Sequence, residues 1–292
     1  MATLKNTTIN DTGHITLPSG TTAQRPGSPA AGMVRHNSNT NLVEWYTGSA
    51  WVTVTQPVSV QPPVVSTNLL VHLDAGNTSS YSGSGTVWSD LSGNGNHFNI
   101  VATAYNSSGP KYMDFNGSYG IAKNGGDISL SDATGVTYCV WTRVLNSAST
   151  WRTLTRSYVN DHHVIIQAGG WQIGMYDNDS VGFIDSGYSQ QSLPNYGTSN
   201  WVALYWRWQS SSPYYEISYN DTPSTIRGSI TNANARYNRG FGSIGAYHNG
   251  DTNPANASQF WGDIGVFMAY NRRLTDAELT QNYNFYKTRF GL

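Results

Sequence analysis

The segment from Phe260 to Phe290 constrains this chain more than any other. Ile264, Val266, Met268 and Tyr270 alternate with Gly265, Phe267 and Ala269, the period of a strand packed on both faces. Asn271, Arg272 and Arg273 break that pattern. Thr275 and Glu278 then have the spacing of a capping box, in which hydroxyl and carboxylate satisfy the first helical N–H groups. Leu279, Tyr283, Tyr286 and Phe290 follow at intervals of 4, 3 and 4, one face of a short helix. A doubly packed strand turning into a capped helix is therefore the expected end of the fold.

The rest of the chain reads as strands and turns. Aromatic residues make up 13% of it, with 10 Trp and 19 Tyr, while Gly, Ser, Thr and Asn are plentiful and helix formers are scarce. That composition predicts an all-β protein, and it also offers flat rings on which the apolar faces of sugars can stack. Charged residues are 11% of the chain and the formal net charge is −1, which argues against a nucleic-acid partner. No run is long enough to span a membrane as a helix, and residues 1–5 lack the apolar core of a signal peptide. The expectation is synthesis in a cytoplasm, with any outside role reached by another route such as lysis. Cys139 is the single cysteine, so no internal disulfide forms, and its strand-like context predicts a small buried hydrophobe.

With 292 residues the chain has room for one large β domain and an appendage. Residues 1–54 form the expected N-terminal module: an extended stretch, then a three-stranded meander over 33–54 with turns at 37–41 and 47–49. Such a piece is too small to bury Trp45 and Trp51 alone, so a partner chain or the next domain is expected to cover them. Residues 55–67 carry three prolines and predict a short semi-rigid linker. The large domain runs over 68–292. Its strand candidates recur between turns from Leu69 to Tyr270, a count that suits a two-sheet sandwich with its first and last strands adjacent.

Two resemblances sharpen this reading. Gly262, Ile264, Tyr270-Asn-Arg272, Leu274, Thr275, Glu278 and Leu279 strongly resemble the last strand and closing helix of laminin-G-like, concanavalin A-like jelly rolls. Leu73-Asp-Ala75 with Asn77, then Trp88, Asp90 and Ser92-Gly-Asn-Gly-Asn96, resemble the opening of such domains in phages. The segment from Leu17 to Trp51, with Thr21-Thr-Ala-Gln-Arg-Pro26, Arg35, Asn37, Glu44, Tyr46 and Trp51, is similar to a module common in structural proteins of tailed phages, especially fibres. The resemblances imply a jelly-roll sandwich displayed on a virion surface. Residues 1–54 would attach it to other virion proteins and assemble it, a trimer being favoured. Its function would be binding of host surface polysaccharide, or structural decoration of the capsid without a dedicated ligand.

Some relatives with this fold hydrolyse polysaccharides with two glutamates on one strand. Here Glu44 lies in the N-terminal module, Glu278 serves the helix cap, and Glu216 has no acidic neighbour two or five residues away. Glycoside hydrolysis needs two carboxylates flanking the bond, so the expectation is a non-catalytic domain. Jelly rolls of this kind often hold calcium where the first and last strands meet. Asp263 matches the position of an Asp in many relatives, and Asp74 and Asn77 are the candidates to approach it; the alternative is that Asp263 hydrogen-bonds loop backbone without metal. His72 and Asp74, two apart, share a strand face as either ligands or a satisfied pair. Sugar-binding candidates are ring residues near loops, Trp151, Trp171, Tyr188, Tyr196 and Tyr247, with Asn249 and Asp251 as hydrogen-bonding neighbours. Trp141, Trp201 and Trp206 are expected in the core.

Overall fold

The computed structural model describes residues 16–54, 61–116, 121–130, 134–145, 151–157, 162–167, 172–177, 184–185, 200–209, 211, 215–221, 229–230, 240–245 and 259–292. The chain divides into two units, Met1–Gln61 and Pro62–Leu292.

In the first unit, Ser19–Gly20 lies parallel to Val34–Asn37, and Leu42–Tyr46 and Trp51–Thr53 follow as an antiparallel meander. One face is polar: the carboxylate of Glu44, wholly buried, takes two bonds from Arg25 and one from Asn37, with Arg35 at 3.4 Å. These guanidiniums hold Glu44 down at about 2. Strand alternation sends Val34, Trp45 and Val52, which are paired across the three strands, to the opposite face, and all three are exposed.

The second unit is an all-β, two-sheet sandwich closed by one helix. One sheet runs, in spatial order, Ser229–Ile230, Tyr215–Tyr219, Val202–Gln209, Gly135–Val144, Trp261–Tyr270, Tyr112–Asn116 and Ala104–Asn106, and Leu69–Asp74 also pairs with Trp261–Tyr270. The first and last strands of the domain are thus adjacent and antiparallel, Val266 standing opposite Asp74. The other sheet runs Ile184–Asp185, Gln172–Asp177, His162–Gln167, Trp151–Arg156, Phe241–Ile244, Ile121–Ile128, Phe98–Val101 and Val87–Trp88. Between the sheets lies a core that includes Val71, Leu73, Trp88, Phe98, Phe115, Tyr138, Trp206, Trp208, Phe241, Ile264 and Phe267. A second core fills the outer face of the first sheet, where Cys139, Trp141, Tyr205, Val266, Met268 and Tyr270 meet Leu279, Tyr283, Tyr286 and Phe290 of the helix Asp276–Phe290.

The central strand Trp261–Tyr270 is packed on both faces, but its period slips. Ile264 belongs to the inter-sheet core and Val266 to the core under the helix, although they are two residues apart. Trp141 pairs with Val266 and Thr142 with Ile264, so Gly265 is the extra residue of a β-bulge, which reverses the alternation. The Phe290 ring lies directly against Gly265, where any side chain would collide. At the helix start, Thr275 Oγ1 accepts from the Glu278 N–H while the Glu278 carboxylate accepts from the Thr275 N–H, closing the expected box.

The linker is shorter than the sequence suggests, because residues 62–67 belong to the sandwich. The Val65 N–H donates to Asn282 Oδ1 and its carbonyl accepts from the Tyr270 hydroxyl; Gln281 and Arg272 bond the carbonyls of Pro63 and Thr67. Prolines do not prevent docking of a segment whose carbonyls find donors. Trp201 also departs from expectation: it precedes its strand and is half-buried at the rim, whereas Trp141 and Trp206 are buried.

Candidate functional site

Two of the polar clusters on the outer face of the first sheet contain residues singled out in the sequence. In the first, the Tyr286 hydroxyl donates to Asp74 Oδ2 at 3.0 Å and accepts from His72 Nε2 at 2.7 Å. Arg289 and the Gly76 N–H hold Asp74 Oδ1. Burial pushes His72 down and Tyr286 up, so the imidazole and the phenol both stay neutral. His72 and Asp74 are thus a satisfied pair bridged by the closing helix, and they tie the first strand to the last element.

The second cluster sits where the helix ends and leaves the sheet open. Asp263 and Asp114 stand opposite each other on neighbouring strands, and Arg143 is opposite Asp263 on its other side. Residues paired in this way project from one face. Arg143 donates from Nε to Asp263 Oδ2 at 2.7 Å, and from Nη2 to the same oxygen and to the Tyr112 hydroxyl. Its guanidinium lies 5.3 Å from the Tyr112 ring and 5.4 Å from the Trp201 ring, and those rings are 5.5 Å apart. The three groups form a triangle held by cation–π attraction. Trp201 leans in turn on Phe290 at 4.8 Å, so the last helical turn fixes the edge of the cluster. Trp261, two residues before Asp263 on the same face, is 40% exposed.

Electrostatically the inner carboxylate is unusual. Asp263 is 1% exposed, and burial pushes it up to about 6 despite Arg143, with the like charge of Asp114 adding to the rise. Its Oδ1 has no hydrogen-bond partner among the described residues. Arg143, Asp114, Tyr112 and Trp201 were not expected in a site. An arginine closing a strand otherwise buried from Gly135 to Thr142 was the available signal, since such a charge needs a partner.

The residues expected from sequence fare differently. Trp151 begins the strand Trp151–Arg156. Trp171, Tyr188, Tyr196, Tyr247, Asn249 and Asp251 lie outside the described residues. Asp263 and Asp74 are each paired with an arginine of their own, Arg143 and Arg289, and Asn77 Oδ1 accepts from the Ser79 N–H in a turn. Among the described residues no group of three or more His, Cys, Asp or Glu side chains is placed to hold a metal ion.

Comparison with known proteins speaks to the fold. No protein-family model and no curated protein matches the chain. Solved structures do. A mutant of Trypanosoma rangeli sialidase displaying trans-sialidase activity aligns over 78% of this chain with a TM-score of 0.52 and 12% identity. The same sialidase in complex with a difluoro-KDN aligns over 87% of this chain, with a TM-score of 0.51 and 10% identity. This chain spans 34% and 44% of those two chains. Domain 4 of an extracellular GH43 arabinanase from Geobacillus stearothermophilus, in complex with arabinotriose, aligns over 73% of this chain and 97% of its own, with a TM-score of 0.49 and 18% identity. The two sialidase likenesses agree with the β-sandwich described above, and they correct one expectation. The missing glutamate pair does not mark the sandwich as non-catalytic, because the chains that share its fold include sialidases, which are enzymes. The absence of one carboxylate pattern excludes one arrangement of groups, not glycan chemistry.

Proposed function

We propose that this chain is a surface protein of a tailed-phage virion, a fibre or capsid-decoration component, whose sandwich faces outward and binds host surface glycan. The observation that carries the glycan reading is the open cluster of Arg143, Tyr112, Trp201, Asp114 and Asp263. It combines half-buried ring surface with hydrogen-bonding groups of both kinds, which is what sugar recognition requires. The virion reading is supported by the resemblance of residues 17–51 to tailed-phage modules. Assembly through residues 1–54 is supported by the exposed row Val34, Trp45 and Val52 on so small a sheet, a face suited to further copies of the chain in a trimer.

The test is binding of the full chain to a panel of purified bacterial surface polysaccharides, with released sugar measured in the same samples. Saturable binding that Trp201→Ala weakens supports the reading, and released sugar would identify the bound glycan as a substrate. Failure to bind every polysaccharide overturns it. Sedimentation of the same protein should give a trimer; a monomer at micromolar concentration refutes the assembly role of the N-terminal unit.

A further inference from the structure

We infer that the cluster between the helix end and Trp261 selects sugars by their hydroxyl groups and rejects acidic sugars. This inference rests on the glycan-binding reading above and names the class of ligand. The argument is one of unmatched acceptors. Asp114 is half-buried, and no described residue donates a hydrogen bond to its carboxylate. Asp263 Oδ1, deeper in the same patch, also has no donor among the described residues, but it is buried out of a ligand's reach, so the acceptor open to a ligand is Asp114. Buried or half-buried carboxylate oxygens are normally satisfied, and leaving them unmatched is costly. The molecule itself thus leaves a demand for donors at this place, and sugar hydroxyls supply them.

Charge points the same way. Two carboxylates face one guanidinium, and Arg143 directs Nε and Nη2 at Asp263. Arg152 lies beyond, over the Trp261 ring, and bonds the Gln259 carbonyl. A ligand carboxylate brought beside Asp114 would meet a like charge, while Arg143 already commits two nitrogens to Asp263. Arg143 keeps one nitrogen, Nη1, to which no described residue is an acceptor. Asp114 and Arg143 lie on the two strands that flank Asp263, and the guanidinium reaches across to the Tyr112 hydroxyl, so one stretch of surface offers an acceptor and a donor to the hydroxyls of a sugar. Trp201 and Tyr112 border the pair and supply ring surface for the sugar's apolar face. Asp263 acts as a positioning residue that holds Arg143 level with the rings.

The experiment is ligand-observed NMR titration of the full chain with methyl glycosides of mannose, galactose and N-acetylglucosamine, and with glucuronate and N-acetylneuraminate. At least one neutral glycoside should bind, and the acidic sugars should bind at least about tenfold more weakly, the factor expected from an unmatched like charge. Asp114→Asn should weaken the neutral ligand about tenfold or more, since it loses a charged acceptor. It should also narrow the gap to the acidic sugars, which simple unfolding would not do. Preference for an acidic sugar overturns the inference, as does unchanged affinity in Asp114→Asn and Trp201→Ala; in both cases the glycan reading survives. Calcium chloride alone is titrated in parallel. Calcium binding that Asp114→Asn abolishes, with no sugar bound, overturns the inference in favour of a cation site. Absence of binding to monosaccharides and to every polysaccharide removes the glycan reading itself.

Discussion

Replacing Tyr286 by Phe isolates the hydrogen bonds that join the closing helix to the first strand. The ring stays, so no cavity opens and the contact with Trp141 at 4.9 Å is kept. What is lost is one hydroxyl that donates to Asp74 Oδ2 and accepts from His72 Nε2. Both partners are buried, His72 at 7% and Asp74 at 5% exposure, so water cannot replace it without rearrangement. Each unmatched buried polar group costs about 1–3 kcal/mol. Asp74 keeps Arg289 and the Gly76 N–H, which places its share at the low end. The sum is about 2–4 kcal/mol. For a domain of roughly 150–250 residues each kcal/mol moves the melting midpoint by about 2–4 °C, so the sandwich should melt about 4–16 °C lower. The assay is thermal unfolding followed by tryptophan fluorescence, with Tyr283→Phe as the control. Tyr283 packs on the same helical face and no described residue bonds its hydroxyl, so its loss should stay within about 0.5 kcal/mol. Equal shifts for the two variants, or a shift below 1 °C for Tyr286→Phe, would refute the bridge as a source of stability.

Other outcomes follow from the same geometry. Gly265→Ala drives a methyl into the Phe290 ring and should destabilise the sandwich by about 1–3 kcal/mol, read as a lower urea midpoint with an unchanged slope. Cys139 is fully buried and its thiol is pushed up to about 12, so a thiol reagent should label it only after denaturation; labelling of the native protein would show that the helix opens. Asp263, held up to about 6, keeps a proton in the folded state that the unfolded chain loses at lower pH. Stability should therefore fall as pH rises from the ordinary carboxylate range to about 6, and Asp263→Asn should remove that slope from a series of melts between pH 3.5 and 7 (roughly, the window set by the two states). A wild-type slope of opposite sign across this window would mean that the Arg143 bond outweighs burial.

What could be read from the sequence follows a physical division. Local signals were legible. Thr275 and Glu278 form their box, and Leu279, Tyr283, Tyr286 and Phe290 face inward, because a helix start and a helix face are set within a few residues. The pairing of Leu69–Asp74 with Trp261–Tyr270 was legible through the apolar alternation at both ends of the domain. Short strands were not: Val87–Trp88, Phe98–Val101 and Ala104–Asn106 carry too few residues to show a period. The bulge at Gly265 was hidden for the opposite reason. Both faces of that strand are apolar, so a slip of one residue leaves the pattern looking regular while moving Val266 from one core to the other.

The open cluster was hidden because its members are far apart in the chain. Tyr112, Arg143, Trp201 and Asp263 come from different stretches, and only the order of strands in the sheet brings them to one place. Of these, sequence reasoning singled out Asp263 as an oxygen ligand and Trp201 as core, each from its own neighbours. The tertiary context changes both meanings. A guanidinium on the neighbouring strand makes Asp263 the support of Arg143, and the end of the helix at Phe290 makes Trp201 a rim surface. The glycan reading thus depends on where the helix stops. Gly291, in the left-handed conformation at φ 69°, is the residue that ends the helix, one position after the Phe290 ring on which Trp201 leans.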